Sequence, residues 1–258
     1  MRFALTRAVS PAIGDCELTY LPRADISYER ARAQHQAYQR LLADLGREIL
    51  VLPAEPDLPD SVFVEDTALV LDEIAVILRP GAVSRRPETP SVAHLLAGYR
   101  ELAVIGGPGT LDGGDILRLG TAIFVWRSGR SNETGIGQLT SALAPFGYRV
   151  VPVPVSACLH LKSAVTQVGP DTLLINRRRV NPAHFGAVRF VDVDPSEPRA
   201  ANALLVDDTV VYSASHPRTL DRLVAQGLIV RTVDVSELEK AEGAITCCSV
   251  LFEAEGAA

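Results

Sequence analysis

The chain has 258 residues, 47% of them apolar and 22% charged, with a formal net charge of -6 and a pI near 5.4. That balance is ordinary for a globular protein able to bury a large core. It excludes a basic nucleic-acid surface, because Arg177-Arg178-Arg179 is the longest basic run, and no stretch of about 18 apolar residues marks a membrane span. The opening Met1 to Arg7 lacks the apolar stretch of a signal peptide. Cys16, Cys158, Cys247 and Cys248 show neither CxxC pairing nor disulfide-framework density. Both features predict a reducing, cytoplasmic setting.

Arg2 to Arg7 reads as a short strand, and Ala8 to Ala24 as a flexible loop broken by Pro11, Gly14 and Pro22. Helical periodicity (Ile26, Ala31, Tyr38, Leu41, Leu42, Leu45) predicts a helix over Ile26 to Gly46, with Asp25 as N-cap, followed by a strand from Glu48 to Pro53. Phe63 to Pro80 reads as two strands about an Asp72-Glu73 turn, then a helix over Glu88 to Leu102 and a strand over Ala103 to Ile105. The same order returns as a hairpin over Gly113 to Trp126, a helix over Thr134 to Phe146 opened by Asn132, and a strand over Tyr148 to Val155. Lys162 to Asn176 is a third hairpin, followed only by a short helical piece at Pro182 to Phe185. Ala201 to Ser213 is a fourth, with a helix over Pro217 to Gln226, Gly227 as its C-cap, and a strand over Leu228 to Val233.

The last strand is expected over Gly243 to Phe252, and a hairpin partner for it is missing at the C-terminus. Arg2 to Arg7 is expected to supply that partner. Hairpin starts at Asp66, Asp115, Ser163, Asn202 and Cys247 are spaced by about 49, 48, 39 and 45 residues, a period that signals an array of similar units. Five strand-strand-helix-strand units closed into a ring leave no open edge between first and last, and bring all five hairpin starts to the axis.

Chemistry-bearing residues cluster at those starts: Glu65-Asp66, Asp112 before Gly113-Gly114-Asp115, His160 before Lys162-Ser163, Asn202, and Cys247. Each has a plain structural reading. Asp-Gly-Gly is a turn signal, Leu159-His160-Leu161 suits a buried core histidine, and free cysteine is among the most buried residue types. Alternation along a strand would put Cys247 in a row with Ser249, and Cys248 with Val250 and Phe252, which favours Cys247 as the reactive thiol and Cys248 as a small core residue. Together, a thiol, an imidazole and carboxylates on one axis make a kit in which carboxylates hold a cation, His moves protons and sulfur attacks carbon. The cation best matched to paired carboxylates is a guanidinium. Arg85 and Arg130, after successive hairpins, are either solvated surface residues or a clamp for a carboxylate at the other end of the same ligand.

In these residues the chain resembles the dimethylarginine dimethylaminohydrolases, guanidine-modifying enzymes of the pentein fold. The resemblance is carried by Leu58 to Asp66, Arg79 to Arg86, Thr110 to Asp115, Leu159 to Ser163 and Ser236 to Ser249, in order along nearly the whole chain. It implies an α/β fold, a five-bladed propeller of ββαβ units with pseudo-fivefold symmetry, forming a single catalytic domain over residues 1–258. It implies hydrolysis of N-omega-methylated L-arginines to L-citrulline and a methylamine, without metal or organic cofactor. Cys247 would be the nucleophile, His160 the general acid and base, and Asp66 and Asp112 the guanidinium-facing carboxylates. Leu18, Asp60, Glu65, Asp66, Arg85, Arg130 and the backbone of Ala241 would contact substrate, the Leu18 loop closing over it. The implied partner is a small molecule, with neither nucleic acid nor membrane, and the chain is compatible with a homodimer. Converging thiol and imidazole would also bind Zn²⁺ as an inhibitor.

Two rivals differ in sequence. An arginine deiminase pattern would place a carboxylate two residues after the histidine, where this chain has Lys162, and adds a helical domain for which there is no room. A non-catalytic protein of the same fold, such as a ribosome anti-association factor, has no use for Cys247, His160 and the carboxylates together.

Overall fold

Short strands alternate with single helices along the chain, and each strand pairs within its own repeat. The computed structural model describes residues 1–254, so the end of the domain expected over 1–258 lies outside the described residues. The N-terminal strand β1 (Arg2–Arg7) is followed by α1 (Tyr28–Asp44) and β2 (Glu48–Leu52). The next unit is β3 (Ala68–Val70), β4 (Ile74–Ile77), α2 (Thr89–Leu96) and β5 (Glu101–Val104). Then come β6 (Ile116–Leu119), β7 (Ala122–Val125), α3 (Glu133–Leu143) and β8 (Arg149–Pro152). The third unit keeps three strands, β9 (Val165–Gly169), β10 (Thr172–Ile175) and β11 (Arg189–Asp192), with only the 3-10 piece Pro182–Phe185 as its helix. The chain ends in β12 (Ala203–Val206), β13 (Thr209–Ser213), α4 (Pro217–Ala225), β14 (Ile229–Val233), α5 (Ser236–Lys240) and β15 (Val250–Glu253).

These strands form five three-stranded sheets, ordered β3-β4-β5, β6-β7-β8, β9-β10-β11, β12-β13-β14 and β15-β1-β2. In each, the first pair is antiparallel and the second parallel, as a hairpin followed by a crossover requires. The architecture is a five-bladed α/β propeller. β15 pairs with β1 in the register Phe3 to Phe252 and Leu5 to Val250, so the two ends of the chain close the ring, as the missing hairpin partner implied. Phe3, Leu5 and Phe252 of this closing blade pack on Val70, Ile77, Val92 and Leu96 of the next. Each such buried side chain contributes about 1.5–3 kcal/mol.

Several boundaries differ from expectation for local reasons. α1 begins at Tyr28 because Ser27, not Asp25, caps it, accepting from Arg30 N–H. Its inner face carries Ala31, Tyr38, Leu41 and Leu42 at helical spacing. The helix expected over Glu88 to Leu102 is only α2, because Val83–Glu88 forms a separate 3-10 turn containing Pro87 and the chain turns out after Leu96. The strand expected over Ala103 to Ile105 starts two residues earlier. β11 and α5 were not foreseen, being too short for a periodic signal. The largest correction concerns the C-terminus. Thr246–Cys248 is a 3-10 turn, and the strand begins only at Val250, so strand alternation does not govern the two thiols. Ser249 turns away to Tyr38, the two hydroxyls lying 2.7 Å apart in a buried pair.

No helix among the described residues is long and apolar enough to cross a membrane.

Candidate active site

Four of the five blades open with a 3-10 turn: Val64–Thr67, Gly113–Asp115, Leu161–Ser163 and Thr246–Cys248. The turns meet around the axis, where groups from all five blades join, the Gly113 carbonyl standing for one of them. Glu65 takes Lys162 Nζ at 2.5 Å and Thr246 Oγ1 at 2.8 Å. Lys162 also reaches the Gly113 carbonyl at 3.2 Å, and Asn202 donates to Thr246 Oγ1 at 3.0 Å while accepting from its N–H. The ion pair satisfies a carboxylate and an ammonium that burial would otherwise penalise.

Beside this network is a small cavity of about 20 Å³ lined by Cys247, His160, Asp66, Asp60, Arg85 and Arg130 among others. A larger cavity of about 350 Å³ adjoins it through Leu159, Glu242 and Gly243, but neither His160 nor Cys247 lines that one. The smaller space therefore holds the chemistry. His160 is buried, with Nε2 3.2 Å from Asp112 Oδ2, while Asp112 Oδ1 accepts from Gly81 N–H at 2.7 Å. Asp66 accepts from Gly114 N–H at 2.9 Å and from Arg85 Nη1 at 2.5 Å. Arg85 is itself buried, and its remaining donors go to both oxygens of Glu88 and to the Phe63 carbonyl. The Arg130 guanidinium makes one hydrogen bond among the described residues, to Thr19 Oγ1 at 3.2 Å. Cys247 is partly exposed, whereas Cys248 is fully buried against the core of α1.

Burial alone would lower the basicity of His160, but Asp66, Asp115 and Asp112 outweigh it and raise the imidazole to about 9. Burial pushes Asp66 up, yet His160 and Arg85, with the Arg85 and Gly114 hydrogen bonds, hold it down at about 2. The resting site thus pairs an imidazolium with carboxylates. Burial, then Glu65 and Asp66, push the Cys247 thiol well above its ordinary range. Oxygens of Asp66 and Asp112 and a His160 nitrogen lie within 4.8 Å of one another, a spacing open to a metal ion. All four carboxylate oxygens are nevertheless already engaged by Arg85, Gly114, Gly81 and His160.

The chain is similar to a dimethylarginine dimethylaminohydrolase of Streptomyces coelicolor, 42% identical over 248 residues that cover 96% of this chain and 95% of the relative. It belongs to the dimethylarginine dimethylaminohydrolase family. The enzyme of that name from Pseudomonas aeruginosa is 34% identical over 227 residues, covering 87% of this chain and 89% of that one. The solved structure of a cysteine-to-serine variant of the Pseudomonas enzyme, complexed with citrulline, superposes with a TM-score of 0.92 at 32% identity, covering 97% of this chain and 98% of the other. No family model matches the chain.

Of the residues that the resemblance implied, Cys247, His160, Asp66, Asp60, Arg85, Arg130 and Ala241 line one cavity. Glu65, Asp112 and Leu18 are not among its lining residues. Glu65 belongs to the axial network and Asp112 lies behind His160. Leu18 packs on the core, while Glu17 of the same loop lines the cavity. Sequence reasoning missed Thr246 and gave Lys162 no role at the axis, since both act through residues of other blades.

The Asp-Gly-Gly run also acquires a meaning beyond a turn signal. A Cβ at Gly113 would lie 1.9 Å from the Glu65 carbonyl, and one at Gly114 2.5 Å from His160 Nδ1. Both glycines are needed for close approach, not for a left-handed φ. Gly114→Ala is expected to drive the imidazole from Asp112 and reduce kcat by about 10²-fold or more, with the fold retained by circular dichroism. A variant with wild-type kcat would show that Gly114 does not set the ring's position.

Proposed function

We propose that this protein hydrolyses N-omega-methylated L-arginines to L-citrulline and methylamine or dimethylamine through a covalent adduct on Cys247. The observation that carries this reading is a thiol and an imidazolium facing one small cavity whose wall carries the Asp66 carboxylate. A guanidinium fits there as the counter-charge. Its positive charge also offsets Glu65 and Asp66 at the sulfur, so substrate binding itself favours ionisation of Cys247. The thiolate attacks the guanidinium carbon, and His160, held by Asp112, gives its proton to the departing amine. A thiouronium remains on the sulfur. Water then attacks the same carbon, the now neutral His160 takes its proton, and the carbon-sulfur bond breaks to leave citrulline. Asp112 acts through the imidazole and not on the guanidinium. The same reading takes residues 1–258 as one catalytic domain working in the cytoplasm, where its thiols stay reduced.

At the amino-acid end, Asp60 suits the α-ammonium and Arg130 the α-carboxylate, because Arg130 forms no ion pair among the described residues, whereas Arg85 is taken up by Asp66 and Glu88. The two arginines should therefore behave differently. Arg130→Ala is expected to raise KM for dimethylarginine, costing about 2 kcal/mol in kcat/KM as a charge-assisted pair is lost. Arg85→Ala is expected to destabilise the fold by about 3–5 kcal/mol, since it strands buried Glu88 and Asp66. Ureido-product formation, citrulline from dimethylarginine, monomethylarginine and arginine and the carbamoylated diamine from agmatine, with melting temperatures alongside, checks this. Turnover of agmatine at the dimethylarginine rate would refute carboxylate recognition, and turnover of arginine alone would refute the substrate class.

A further inference from the structure

The segment Glu17–Leu21 borders both cavities, Glu17 lining the small one and Tyr20 and Leu21 the larger, and its backbone is held by two carboxylates from distant parts of the chain. Asp60 accepts from Glu17 N–H at 3.0 Å. Glu242 does more: its carboxylate accepts from three successive backbone groups, Thr19 N–H at 2.9 Å, Tyr20 N–H at 2.5 Å and Leu21 N–H at 2.6 Å. Three consecutive donors converging on one anion make a strong, charge-assisted clasp.

The backbone of Glu242 provides an independent sign. Its φ of 57° lies in the left-handed region, where glycine is the residue of least strain. Its place in the chain is constrained on both sides. Ala241 donates its N–H to Leu238 at the end of α5 and lines the cavity, while a Cβ at Gly243 would fall 2.2 Å from the ring of Phe63. A glutamate in this strained position, with its carboxylate spent on the covering segment, links that segment to the loop leading to Cys247. Glu242 also borders the larger cavity, which Tyr20 and Leu21 help to line, so it stands where the two spaces meet.

A cavity of about 20 Å³ has room for about one water and is too small for an arginine derivative. Substrate entry requires this space to widen, which makes the bordering segment Glu17–Leu21 a lid. We propose that Glu242 is the latch of this lid, a positioning residue that gathers the Thr19, Tyr20 and Leu21 N–H groups and thereby closes the segment over substrate. The inference rests on the hydrolase reading given above. Latching excludes bulk water while the thiouronium forms and brings Glu17 and Thr19 against Asp60 and Arg130.

Glu242→Gly and Glu242→Gln separate latch from scaffold. Glycine relieves the left-handed backbone while removing the clasp, and glutamine keeps the shape with a weaker neutral acceptor. The expected result is an unchanged or higher melting temperature for Glu242→Gly, with kcat/KM for dimethylarginine down about 10-fold or more and the loss smaller for Glu242→Gln. Chymotrypsin cleavage after Tyr20, measured on the ligand-free full chain, should quicken about 10-fold in Glu242→Gly and less in Glu242→Gln. Wild-type cleavage rates in both variants would overturn the latch. A fall in melting temperature matching the loss of activity would overturn it in favour of a purely structural role. The cleavage assay needs no turnover, so inactivity of the wild type toward dimethylarginine would refute the hydrolase reading while leaving the lid comparison interpretable.

Discussion

In Cys247→Ser, citrulline formation is expected to fall by on the order of 10⁶-fold, the scale for loss of a catalytic nucleophile. A serine hydroxyl is far less acidic than a thiol, and the site contains no base that would ionise it: His160, raised to about 9, already holds its proton. Binding should survive, because Asp66, Asp60 and Arg130 are untouched, and isothermal titration with dimethylarginine measures it directly. Cys248→Ser is the contrast. Its sulfur is fully buried, 3.5 Å from the Ala244 carbonyl, in the cluster that contains Tyr38 and Val211. A hydroxyl there keeps that acceptor, so the change should cost about 1–3 kcal/mol of stability and leave much of the activity. An active Cys247→Ser with a dead Cys248→Ser would exchange the roles of the two thiols.

His160→Gly is expected to lower kcat by about 10²–10⁴-fold, since the same imidazole serves both half-reactions. A substrate with a better leaving group sharpens the result. An S-alkyl-thiocitrulline, whose thiol departs without full protonation, should still form the Cys247 adduct in the variant but hydrolyse it slowly, as acid quench and intact mass would reveal. The pH dependence of stability carries a second signature. His160 has its folded value raised to about 9, so its stabilising contribution is complete below the ordinary imidazole value near 6.5 and is lost as pH rises through 9. Asp66, depressed to about 2, contributes above its ordinary value near 3.8 and loses that contribution as pH falls through 2. The melting-temperature gap between wild type and His160→Gly should accordingly be widest below about pH 6.5, shrink through neutrality and close above pH 9. A gap independent of pH, with near wild-type turnover, would make His160 an ordinary core residue.

The repeat, the five hairpins and the closing role of Arg2 to Arg7 were legible in the sequence, because four blades are built from local contacts whose period survives in the pattern of apolar residues and turns, which leaves the last strand visibly without a hairpin partner. So was the set of residue types at the hairpin starts. The choice between the thiols was reached through alternation along a strand that is absent there. A 3-10 turn sets Cys247 toward the cavity and Cys248 into the core, and so short a turn leaves no periodic signal. The tasks of the charged residues were decided only in the folded chain. Arg85 and Arg130 look alike in sequence, but Glu88 and Asp66 consume the first, while the guanidinium of the second meets only Thr19 among the described residues. Asp112 stands behind His160, Glu65 pairs with Lys162 on the axis, and Glu242 grips a loop more than 200 residues away. Each of these assignments depends on which buried charge finds which partner across blades. Ring closure fixes that pairing, and residue type and local propensity carry no record of it.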